Sequence, residues 1–270
     1  MKIFKNKLSL QKEISKDNCL SFVPTMGGLH KGHLSLIKKA NKYKCKICVS
    51  IFINPTQFNK KDDYKNYPRN IKSDIKELKK LKVNYLYLPS YTDIYSFKTK
   101  NKIYMDKFSK QLCGKFRKGH FEGVLDVMDK LTNLIKPKKI FMGKKDYQQL
   151  YLVKNFIENK YKSNVIGCKT IRNKNKLALS SRNFLFNKNE LIEVQEISKK
   201  FLNLKKEVKK HKNINKFLTQ SKKKYEKKFK IKIEYLENRC VKNLKISNKY
   251  LGSNIFLSYY FKGVRLIDNF

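Results

Sequence analysis

Apolar positions along the chain alternate between short unbroken runs and runs spaced by three or four. Cys19-Leu20-Ser21-Phe22-Val23 has strand character, ends at Pro24, and passes through Thr25-Met26-Gly27-Gly28 into a segment with Leu34, Ile37 and Ala40 at helical spacing. The pattern predicts strand, glycine turn, helix. Cys45 to Ile53 has the length and composition of a buried strand. Ile71, Ile75, Leu78 and Leu81 then recur at helical spacing before the strand-like Val83 to Leu88. Val124, Val127, Met128, Leu131, Leu134 and Ile135 mark one face of a further helix, which Pro137 stops just before a strand at Lys139 to Met142.

Strands alternating with helices predict an α/β fold, a Rossmann-like doubly wound parallel sheet that binds ligands outside the carboxyl ends of its strands. After residue 172 the pattern changes. A Lys-rich helical region from about Asn189 to Lys228, with Phe201, Leu204 and Val208 keeping helical spacing, is followed by strands near Ile231 to Tyr235 and Val264 to Ile267. The expectation is a Rossmann-like domain over 1–172 and a smaller C-terminal α+β lid domain over 173–270.

Composition narrows the classes. In 270 residues, 40% hydrophobic and 13% aromatic content suffices for a core, and 10 Gly and 5 Pro exclude collagen-like and proline-rich chains. No run reaches the roughly 18 to 20 apolar residues of a membrane helix, and no apolar segment follows the charged Met1 to Lys7, so a cytoplasmic protein is expected. Six Cys without a paired framework fit a reducing compartment with free thiols. Cys45 and Cys48, three apart on a strand, point to opposite faces and make no metal or redox pair. The balance of 64 basic to 21 acidic residues gives a formal +43. Only Arg69, Arg117, Arg172, Arg182, Arg239 and Arg265 are arginines, however, and the lysines spread over the whole chain, as biased codon usage on tolerant surface positions would produce. Base reading and planar phosphate forks favour Arg, so nucleic acid is not the expected partner.

Candidate chemistry gathers at strand ends. Met26-Gly27-Gly28-Leu29-His30-Lys31-Gly32-His33 opens a helix; His30 and His33 share one face there, where free backbone N–H groups attract anions and imidazoles can donate to phosphate oxygens. Asn54 and Gln57 follow the second strand, with amides suited to a hydroxy acid. Gly143-Lys144-Lys145-Asp146 leads into the helix carrying Gln149 and combines close approach, cationic charge and a carboxylate. Leu179-Ser180-Ser181-Arg182 sets two hydroxyls beside an arginine, as a mobile phosphate clamp would. Arg117 to Gly123 either lines the same crevice or turns the chain.

Taken together these segments resemble the pantoate–β-alanine ligases, nucleotidyltransferase-type Rossmann enzymes. His30-x-Gly-His33 alone marks only the wider superfamily. Ile53 to Phe58, Tyr67-Pro68-Arg69, Gly119 to Val124, Lys145 to Gln149 and the terminal Arg265-Leu266-Ile267-Asp268-Asn269 carry the narrower resemblance. It implies condensation of pantoate with β-alanine at the expense of ATP, with Mg²⁺, through a pantoyl-adenylate, and a homodimer. By the same resemblance, residues 26–33, Gly143 to Asp146, Ile171 and Leu179 to Arg182 bind ATP. His33 is the proton donor or charge stabiliser, assisted by His30, and Lys145 and Arg182 face phosphates. Gln57 and Gln149, with Asn54, hold pantoate and β-alanine. Metal ligands are not assigned.

The chain departs from the family at Lys144, usually Glu; Lys118, usually Pro; Asn175-Lys176, usually Asp-Gly, where Asn175 can itself adopt a positive φ and so keep the turn; and Cys113, usually Glu. Two rivals remain at this level. An adenylyltransferase of the same fold would stop after transferring AMP to a phosphate ester, and a basic nucleic-acid-binding protein would show steep salt dependence.

Overall fold

The computed structural model describes residues 1–96 and 105–270. In chain order it contains β1 (Lys2–Phe4), α1 (Lys7–Ile14), β2 (Leu20–Thr25), α2 (Lys31–Ala40), β3 (Lys46–Ile51), α3 (Lys61–Lys65), α4 (Ile71–Lys80), β4 (Tyr85–Tyr87) and α5 (Tyr91–Tyr95). There follow α6 (Cys113–Phe116), α7 (His120–Ile135), β5 (Lys139–Gly143), α8 (Tyr147–Lys160) and β6 (Asn164–Cys168). The remainder is α9 (Lys188–Glu207), α10 (Ile214–Phe229), β7 (Lys232–Cys240), β8 (Ser253–Phe261) and β9 (Val264–Asn269).

Two compact units result: Met1–Lys144 with Gln149–Lys169, and Lys145–Gln148 with Thr170–Phe270. The first is built on a six-stranded parallel sheet in the order β1-β4-β3-β2-β5-β6. Its strand order reverses between β2 and β5, and in such sheets the crevice outside the carboxyl ends at that reversal takes the ligand. Val23, Ile47, Val49 and Leu86 from the strands pack with Ile37 of α2 and Leu78 of α4, all fully buried or nearly so. Each such side chain contributes about 1.5–3 kcal/mol through apolar burial. The second unit carries the antiparallel sheet β7-β8-β9, with a core in which Ile197, Phe201 and Leu204 of α9 and Leu218 of α10 meet Leu257 and Tyr259 of β8. Among the described residues no helix is long and apolar enough to cross a membrane.

The Lys-rich region is helical, as expected, in two pieces, with a break after α9 and a restart at Asn213, whose side chain accepts from the Lys216 N–H. Other expectations need correction. The second unit has a third strand, β8, between the two expected. Cys19 and Cys45 are disulfide-bonded rather than free: the parallel register Leu20↔Lys46 places the preceding residues side by side, with Cα atoms 4.9 Å apart. The other four cysteines carry no disulfide.

The Asn175-Lys176 turn is retained, with an Arg172↔Ala178 bridge and Lys176 N–H donating to the Asn173 carbonyl at 3.0 Å. Lys176, however, and not Asn175, holds the positive φ, at 72°. A left-handed non-glycine residue costs about 1–2 kcal/mol, so Lys176→Gly is expected to raise the stability by about 1 kcal/mol. A higher denaturant midpoint at unchanged slope would report it.

Candidate functional site

In the first unit, β2 runs out into the glycine turn. Gly27 and Gly28 take positive φ, 80° and 60°, which a side chain would oppose. The turn's amides are consumed locally. Thr25 Oγ1, which donates to the Ser50 carbonyl, accepts from Gly27 N–H at 3.3 Å; Asp74 Oδ2 and Oδ1 accept from Gly28 N–H at 2.9 Å and Leu29 N–H at 2.8 Å. His30 caps α2, its Nδ1 accepting from Gly32 N–H at 3.0 Å, while His33 Nδ1 accepts from His30 N–H at 3.4 Å. The expectation of open N–H groups at this helix start is therefore corrected: those of residues 27–30 and 32 have protein acceptors.

The same contacts assign the ring tautomers. With Nδ1 accepting in both histidines, the proton of each neutral ring sits on Nε2. The rings lie 4.1 Å apart. Two Nε2–H donors thus follow the carboxyl end of β2, a suitable arrangement for oxygens that gain negative charge. Lys31 is exposed at the first helical position.

Beside them, Gln57 is buried in a 3-10 turn over Pro55–Gln57 after β3, and its Nε2 donates to Met26 Sδ. Asn54 is tied into the surrounding protein. It is 1% exposed, its Nδ2 donates to the Gly123 carbonyl at 3.0 Å, and its Oδ1 accepts from Thr56 N–H, Thr56 Oγ1 and the Tyr95 hydroxyl. Its carbonyl oxygen is saturated by protein donors, and these contacts shape the turn. Gly143 ends β5, with Lys144 laying its stem toward Gly167 of β6; Gln149 is half-buried on the first turn of α8. Asn59 donates to the Lys118 carbonyl, so that loop is tied down without the family's proline.

In the second unit, Lys145 forms a 3.5 Å ion pair with Asp146, and its carbonyl accepts from Asn269 Nδ2 at 2.8 Å. Lys145, Ser180 and Asp268 line one small cavity with Tyr259 and Ser198. Leu179 N–H donates to the Ile171 carbonyl at 2.9 Å, which sets those two residues side by side. Ser180 caps the turn Ser181–Leu185, its Oγ accepting from Arg182 N–H at 3.3 Å. Arg172 grips Asp268 through two bonds of 2.6 and 2.8 Å, a bidentate fork. The terminal Asp268-Asn269 pair thereby anchors both the Arg172 and the Lys145 segments.

Asp74, which holds the glycine turn, was not singled out from the sequence. Only 3% exposed, it has its carboxyl held above the ordinary carboxylate range because burial outweighs the two amide bonds that favour the charged form. Its signal was present: it stands three residues after Ile71 and four before Leu78, on the apolar stripe of α4. Among the described residues no group of three or more His, Cys, Asp or Glu is placed to hold a metal ion.

The family model described as pantoate-beta-alanine ligase matches residues 2–270. A pantothenate synthetase of Flavobacterium psychrophilum is 35% identical over 97% of this chain and 95% of its own. One from Clostridium botulinum is 36% identical over 98% and 95%. Among solved structures, the pantothenate synthetase of Thermus thermophilus superposes with a TM-score of 0.89 at 27% identity, covering 100% of this chain and 99% of that one. The pantoate-beta-alanine ligase of Francisella tularensis, complexed with β-γ ATP and β-alanine, gives 0.84 at 35% identity, covering 100% and 97%.

Proposed function

Because the chain belongs to the pantoate–β-alanine ligase family, and so is an enzyme of pantothenate biosynthesis, we propose that it works through a pantoyl-adenylate, as a cytoplasmic homodimer. In the first step a carboxylate oxygen of pantoate attacks the α-phosphorus of ATP, the bond to the bridging oxygen breaks, and pyrophosphate leaves. In the second, the β-alanine amine attacks the acyl carbon, the acyl–oxygen bond breaks, AMP leaves, and the amine loses a proton. The observation that carries the reading is the His30–His33 pair after β2, with both ring protons assigned to Nε2 by the contacts at Nδ1.

The first step brings an anion to a polyanion, so its barrier falls with donors placed where charge accumulates, each contributing about 3–4 kcal/mol. His33 Nε2–H is assigned that role, with His30 beside it and Lys145 and Arg182 as phosphate-facing cations. Gln57 and Gln149 hold pantoate, and Gln57 also serves β-alanine. The adenylate is already an activated acyl group, so no covalent enzyme nucleophile is required. Magnesium enters as MgATP, part of the substrate, in keeping with an ion that keeps its waters and binds through phosphates rather than an all-protein cage.

Incubation of the purified protein with MgATP, pantoate and β-alanine is expected to yield pantothenate and AMP in equal amounts. ADP and phosphate in place of AMP would contradict the adenylate route. Release of pyrophosphate without pantothenate would point to a different acceptor.

A further inference from the structure

The backbone carbonyl of Gln57 is held by two side chains from a motif so far left without a role. His120 Nδ1 lies 2.8 Å from this oxygen and Arg117 Nη2 lies 3.1 Å from it, while Arg117 Nη1 lies 3.0 Å from His120 Nε2. One assignment of protons satisfies all three contacts. A guanidinium only donates, so His120 Nε2 accepts from Arg117, the ring proton sits on Nδ1, and Nδ1–H donates to the carbonyl. The hydrogen-bond pattern is thus the reverse of that at His30 and His33, where Nδ1 accepts.

The surrounding packing presses the same groups together. His120 is 6% exposed and begins α7 directly after Gly119, which takes a left-handed φ of 79°. One turn later, a Cβ on Gly123 would come within 2.6 Å of the Thr56 carbonyl oxygen, so the start of α7 lies hard against the Pro55–Gln57 turn. The Asn54 amide donates to the Gly123 carbonyl across the same contact. The turn is therefore gripped from its backbone side, and the Gln57 amide extends the other way, toward Met26.

We propose that Arg117 and His120 act as a pair of positioning residues that fix Gln57 for the acid substrates without touching them. This rests on the reading of Gln57 as a pantoate- and β-alanine-binding residue. It makes a separable claim, that the placement of the Gln57 side chain depends on the pair. A charge-assisted bond of this kind is worth about tenfold to a hundredfold in an equilibrium.

The test uses the full chain as Arg117→Ala, His120→Ala and His120→Asn, each checked for an unchanged thermal transition. Two measurements are made: KM for each substrate with calorimetric ATP binding, and the side-chain amide resonance of Gln57. In the alanine variants KM for pantoate and β-alanine is expected to rise about tenfold or more, with ATP binding within about twofold of wild type and the Gln57 resonance shifted. His120→Asn keeps an N–H near the Nδ1 position and should recover most of the loss. Non-additivity in the double alanine variant would mark the two as one device. An unmoved Gln57 resonance in folded variants overturns the inference, as does an equal loss of ATP binding. A moved resonance in a protein whose wild type neither binds nor turns over pantoate supports the inference and overturns the reading of Gln57 as a substrate ligand.

Discussion

His33→Ala is expected to lower kcat for pantothenate formation by about a hundredfold to a thousandfold, the usual result of removing one donor to a developing oxyanion. The tautomer assignment sharpens the test. His33 has two separate tasks: Nδ1 accepts from the His30 N–H and so shapes the first turn of α2, and Nε2–H is the proposed donor to phosphate. Asparagine can retain an acceptor near Nδ1 but has no donor at the Nε2 position, whereas glutamine can reach the Nε2 position with an N–H but leaves the cap unmade. His33→Asn should therefore be as slow as His33→Ala, and His33→Gln should recover part of the rate with weaker ATP binding. The opposite ranking would mean that the histidine matters for the turn and not for the phosphate.

Removal of the Asp74 carboxylate has the second large effect. Asp74→Ala removes the carboxylate acceptors of the Gly28 and Leu29 N–H groups, the first buried and the second half-buried. Each orphaned donor costs about 1–3 kcal/mol, so a loss of about 3 kcal/mol in unfolding free energy is expected, together with weaker ATP binding as the glycine turn relaxes. Asp74→Asn should fall between, since its amide offers one acceptor and sets a second donor against an N–H. The carboxyl also has a pH signature. Because its folded pKa is raised, its contribution to stability is full below the ordinary carboxylate value of about 4 and is lost as pH rises through the raised value. Burial raises the Asp126 carboxyl as well, so the decline assigned to Asp74 is read as the difference between wild type and Asp74→Asn, which has no proton to lose at that position. Equal unfolding energies for wild type and Asp74→Ala would contradict the clamp.

Much of the first unit was legible because local pattern and tertiary role coincide there. The apolar stretch before Pro24, the helical stripe from Ile71 to Leu81 and the Pro137 stop each correspond to an element, and their alternation implies the parallel sheet that β2 to β5 form. Strand β8 escaped because it is the middle strand of its sheet and is buried on both faces from Ile255 to Tyr259, so the alternation that reveals a half-exposed strand is absent. The break between α9 and α10 escaped because lysines crowd both sides of it.

Contacts distant in sequence set the remaining limit. The Cys19–Cys45 bond depends on the register of β2 against β3, and the Asn269 bond to the Lys145 carbonyl spans 124 residues. Neither leaves a local mark. The site residues were visible as motifs, but their protein partners were not: Asn54 stands at a strand end, and its bonds to Thr56, Tyr95 and Gly123 leave no mark in the local sequence.

Pantoate-dependent exchange of labelled pyrophosphate into ATP, measured without β-alanine, tests the adenylate directly. Exchange that requires pantoate and falls in His33→Ala is the predicted result, because reversal of the first step needs the same phosphate donor. Pantothenate formation by a folded enzyme that shows no such exchange, even with pyrophosphate in excess, would contradict a freely reversible pantoyl-adenylate step and the role given to the His30–His33 turn.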